Sequence, residues 1–179
     1  MIIKIPSIFH EVFGKRQSVI QLIGILLFGI ILTTLLFIYD PSIYYDISLW
    51  RTIVAFLFIF DIFSGCIANF TKSTSEYYAN NKKKQLIFIS IHFHLILVAI
   101  LLGTSIWSAI LVWIYTIICS FIIIFLKKDN QIFVGGFLLC TGIAGIPILG
   151  MESFMMIVSM LFLIKVLYSF SVNHYQNED

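Results

Sequence analysis

Asp61, His92 and His94 are the ionisable residues set deepest in apolar sequence. A carboxylate beside an imidazole can hold and exchange a proton near neutral pH, where histidine titrates. The same three residue types also serve as ligands for a divalent metal. Asp61, Gly65 and Asn69 are spaced by four, so on a helix they line one side, and Thr71 follows them. Lys165 is a further cation inside an apolar run. It can snorkel to the membrane interface, or pair with Asp61 at similar depth. An aspartate near a bilayer centre costs about 2.5 to 3.5 kcal/mol, and such residues are functional candidates by default. A protonated histidine, a metal or an added proton would relieve that penalty. The plain alternative is a hydrogen bond that fixes helix packing.

Six apolar stretches must position these groups: about 18–39, 47–70, 85–103, 106–126, 132–149 and 154–172. Each has roughly the length needed to cross a hydrocarbon core. Of the 179 residues, 60% are hydrophobic and only 11% charged, far too little charge for an ordinary soluble domain. The expected fold is an all-α polytopic bundle, with 1–17 as an interfacial amphipathic segment and 173–179 as a polar tail. In the first segment Ser7 could cap a helix with Ile8, Phe9, Val12 and Phe13 on one face. Tyr44, Tyr45 and Trp50 suit an aromatic belt. Gly24 and Gly29, and the glycines between 135 and 145, would admit neighbouring helices. Three cysteines in apolar spans argue against a disulfide framework.

Nine of the 11 basic residues precede the first span or fall between spans two and three or four and five. With six spans these segments share one side, so both termini are expected in the cytoplasm. Usage rich in Ile, Phe, Lys and Asn points to a bacterial cytoplasmic membrane. A net charge of +2, with the lysines in short loops, implies no nucleic-acid partner. With so little mass outside the bilayer, a second copy or a larger membrane protein is the expected partner.

Asp61 lies about 12 Å in from Asn69 at the helical rise, and His92 and His94 about 10 to 14 Å in from Gln85. Asp61 and the histidines therefore share a level on neighbouring antiparallel spans. On a regular helix His92 falls with Gln85, Ala99 and Gly103, while Ser90 and His94 fall on nearly the opposite side, about 200° away. The expected pair is Asp61 with His92. A metal on Asp61, His92 and His94 is the one cofactor these residues suggest, and His-x-His spacing suits it poorly on a regular helix. Hydroxyls between Thr71 and Tyr78, followed by Lys82, Lys83 and Lys84, form either a solvated topogenic loop or a seat for a phosphate or anionic lipid head group.

Three functions fit. The first is a cytoplasm-facing polar pocket between spans two and three that binds or transports a polar or anionic ligand. In it Asp61 and His92 exchange or hold a proton, and Asn69, Thr71 and the lysine run receive the ligand, a lipid head group being one example. The second is a membrane-embedded enzyme, with Asp61, His92 and His94 either on a metal or acting as acid and base. The third is a non-catalytic accessory subunit. No nucleophile elbow, phosphate loop, Cys-x-x-Cys or zinc helix motif is present.

Overall fold

The computed structural model describes residues 1–79 and 81–175. Residues 176–179 of the polar tail lie outside them. Among the described residues, six helices are long and apolar enough to cross a membrane. The first is α2 (Val19–Tyr39) and the second α3 (Leu49–Ala68). The third is interrupted, running as α5 (Lys82–Ser90) and then α6 (His94–Leu102). Gly103 ends it in the left-handed conformation (φ 68°), which a glycine adopts without strain. The fourth is α7 (Ile106–Phe125). The fifth, α8 (Lys128–Gly145), passes into a 3-10 turn at Pro147. The sixth begins as α9 (Ser153–Leu163) and ends as a π-helical stretch over Ile164–Phe170.

The core lies between α3, α6 and the sixth span. Ala55, Ile59, Ile62 and Phe63 of α3 are fully buried, as are Leu95 and Val98 of α6 and Phe162, Val166 and Leu167 of the sixth span. α3 touches α2, α6 and both halves of the sixth span. α2 and α8 are the least buried and form the outside of the bundle. Gly29 lets α2 approach closely, since a Cβ there would lie 2.8 Å from the Phe60 ring. Cys66 and Cys119 are buried, whereas Cys140 of α8 is exposed.

The first 18 residues differ from the expected single amphipathic helix. β1 (Ile2–Lys4) pairs antiparallel with β2 (Arg16–Ser18), Lys4 opposite Arg16. Between them lie a 3-10 turn (Ser7–Phe9) and a one-turn helix, α1 (His10–Phe13), and Ser7 makes no side-chain cap. Gly14 stops the helix at φ 71°, and the strand pairing ties the two ends together. The apolar residues still face outward: Ile8 is 80% exposed and Phe9 49%.

The link between spans two and three is also more ordered than a loop. Lys72–Ala79 forms a helix, α4, against which the N-terminal arm docks. Thr74 Oγ1 donates to the Val12 carbonyl, Tyr78 Oη to the Glu11 carbonyl, and Gln17 Nε2 to Thr71 Oγ1. Burial pushes the Tyr78 phenol above its ordinary pKa, so it remains a donor. Gly14 is the tight point, since a Cβ there would sit 2.3 Å from the Ser73 carbonyl oxygen. Gly14→Val therefore meets both a positive φ and a backbone clash. It is expected to release the arm, exposing residues 1–18 to limited proteolysis while the helical circular dichroism of the bundle stays unchanged. An arm that remains protease-resistant in the variant would show that this contact does not hold it.

Candidate functional site

The interruption in the third span decides the site. Around it the backbone bonds depart from the α pattern: His92 N donates to Ile89 O and Phe93 N to Ile91 O. The His92 ring Nδ1 takes the Phe88 carbonyl that its own backbone N–H would have used. Ser90 Oγ bonds back to Leu86 O, an arrangement that bends helices. Trp113 Nε1, on α7, donates to the freed His92 carbonyl at 2.9 Å. These bonds satisfy the His92 and Phe93 N–H groups and the His92 carbonyl. The break also cancels the helical phase that would separate the two histidines, whose ring centroids are 5.1 Å apart.

The partner of Asp61 is accordingly His94, not His92. His94 Nδ1 lies 3.0 Å from Asp61 Oδ2, though off the line of a well-formed hydrogen bond. Its ring stacks on Phe58, one turn before Asp61 on α3, with centroids 5.2 Å apart. His92 is 4% exposed and serves the helix break. The phase argument for His92 required an uninterrupted helix, and the third span is not one.

Lys165 is the third member. It does not snorkel: the residue is 3% exposed, and its Nζ donates to Asp61 Oδ2 at 2.6 Å and to the Asp61 carbonyl at 3.1 Å. The whole Asp61, Gly65, Asn69 stripe engages this one residue. The lysine side chain crosses Gly65, where a Cβ would lie 2.5 Å from Lys165 Cε. Asn69 Nδ2 donates to the Lys165 carbonyl at 3.2 Å. That carbonyl lies where the last span turns π-helical, and π segments frequently accompany functional sites.

Asn69 and Thr71 do not form an open mouth. They are 4% and 5% exposed. Thr71 Oγ1 donates to Ala68 O and accepts from Gln17 Nε2. The Asp61 carboxylate opens sideways instead. Its side chain is 42% exposed, and Oδ1 accepts no hydrogen bond among the described residues. Leu57, one turn away, is 61% exposed.

Among the described residues no three His, Cys, Asp or Glu side chains gather as a metal-binding group. Asp61 and His94 meet, but His92 does not join them in a metal-binding group. His10 and His174 bond the carbonyls of Ile5 and Tyr168 instead. Trp113, Phe58 and the π-helical stretch escaped the sequence argument. Aromatics in apolar spans carry no local sign of which ring will meet a carbonyl or an imidazole.

The fold and site define an all-helical bundle with a carboxylate, an ammonium and an imidazole from three different spans meeting at one oxygen. No protein-family model, curated protein or solved structure matches the chain.

Proposed function

We propose that the protein is a multi-pass integral membrane protein of the bacterial cytoplasmic membrane, with both termini cytoplasmic. It binds or carries a polar or anionic ligand and exchanges a proton at Asp61, His94 and Lys165. The observation that carries this reading is the convergence of Lys165 Nζ and His94 Nδ1 on Asp61 Oδ2, at 2.6 and 3.0 Å. The clustering of nine of the 11 basic residues in three segments at one end supports the orientation.

With Asp61 ionised, Lys165 charged and His94 neutral, the triad carries no net charge and is tolerable in an apolar surround. A proton taken up by the triad gives it a net positive charge, and loss of that proton restores neutrality. The free Oδ1 can accept a hydrogen bond from a polar ligand without breaking the Asp61–Lys165 bond.

The test is pH-difference infrared spectroscopy of the reconstituted protein. The expected result is one pH-linked spectral transition. It should be lost in His94→Asn and displaced in Asp61→Asn. A transition insensitive to both substitutions would leave the triad a packing device only.

A further inference from the structure

A groove of about 860 Å³ lies under the N-terminal arm, where the arm, the start of α2 and α4 meet. Lys15, Arg16, Lys72 and Lys84 line it, with Glu76 the one carboxylate among the lining residues. Glu76 offsets little of this charge: it stands 3.7 Å from Lys72, and both side chains are more than half exposed. The cations come from three separate segments, yet their spacing is held. Arg16 N donates to Ser73 Oγ, and Lys84 Nζ donates to Tyr77 Oη at 2.6 Å. Hydrogen bonds from Thr74 and Tyr78 clamp the arm to α4. Four cations around one concavity, carried on a backbone held by these bonds, suit a phosphate ester.

The apolar surroundings identify the source of that phosphate. Met1 and Ile2 beside the groove are 88% and 72% exposed, and Ile20 on α2 is 79% exposed. Gln21 lines the groove, and one turn further along α2 a Cβ at Gly24 would meet nothing within 4 Å. A soluble phosphate compound would leave this apolar track unused, whereas an acyl chain fits along it. We propose that the groove holds the head group of an anionic phospholipid, with an acyl chain running down α2 past Gly24. The site is separate from the Asp61 triad. It rests on the membrane embedding proposed above and not on proton exchange.

The experiment is native mass spectrometry of the full chain with equal amounts of phosphatidylglycerol and phosphatidylcholine in mixed micelles. Selective retention of one phosphatidylglycerol per chain is expected. Each basic residue near an anionic head group contributes about fivefold in affinity, so Lys15→Gln with Arg16→Gln should weaken retention about 30-fold. Both side chains are exposed and make no side-chain bond among the described residues, so the arm should stay docked. If that pair fails to fold, Lys84→Gln should weaken retention about fivefold. Lys127→Gln with Lys128→Gln removes the same charge elsewhere at the basic end and should have a far smaller effect. An equal loss in both pairs, or equal retention of phosphatidylcholine, would overturn the proposal. So would displacement by millimolar inorganic phosphate together with indifference to Gly24→Leu, which would point to a soluble phosphate compound instead.

Discussion

Lys165→Met is expected to destabilise the folded protein by about 3 kcal/mol, the lower end of the range for removing one partner of a buried ion pair. Lys165 is 3% exposed and its ammonium makes two bonds to Asp61. Removing it leaves a carboxylate whose one other close cation source among the described residues is His94. The lower end applies because the Asp61 side chain is 42% exposed. Adding Asp61→Asn should restore most of the loss, because an amide and a thioether carry no charge to desolvate. Unfolding can be followed through the buried thiols of Cys66 and Cys119 with a thiol-reactive dye, after Cys140→Ser silences the exposed one. If the single variant unfolds like the parent, or the double variant is no more stable than the single, the pair does not constrain the fold.

Gly65→Val should act through the same lysine. Its Cβ would lie 2.5 Å from Lys165 Cε and 2.9 Å from Nζ. The end of a lysine normally swings away at little cost, but this one is tethered to Asp61 at 2.6 Å. The substitution must therefore overpack the α3 interface or stretch the ion pair, for a loss of about 1 to 3 kcal/mol. In a Lys165→Ala background the obstructing atoms are gone, and Gly65→Val should be close to neutral. A double-mutant cycle should show a coupling of at least about 1 kcal/mol, within the range for residues in contact. Additive losses would show that Gly65 and Lys165 act independently, and that the small residue serves only the approach of the two backbones.

These experiments bear on an arrangement that was partly legible in the sequence. Apolar runs of bilayer length, ended at Asp40–Pro41, Gly103 and Lys127–Lys128, place six spans because hydrophobic length and turn residues are local signals. Spacing by four put Asp61, Gly65 and Asn69 on one face of α3, and they do address one residue of a neighbouring helix. Depth alone brought Asp61 level with the histidines, which follows from helical rise and an antiparallel neighbour.

Which histidine meets Asp61, and whether Lys165 reaches it, were settled only by tertiary structure. The phase of His94 depends on the break at 91–93, and that break depends on the Trp113 indole from α7 capping the His92 carbonyl. The direction of Lys165 depends on the gap left over Gly65 by a helix one hundred positions earlier in the chain. The fate of Asn69 and Thr71 depends on Gln17 and on the sixth span, which cover them. The sequence by itself determined the class of fold, the six spans and the face that Asp61, Gly65 and Asn69 share, because each follows from the period and length of one segment. Membership of the Asp61 triad was decided by contacts between segments distant in the chain, and no local periodicity encodes them.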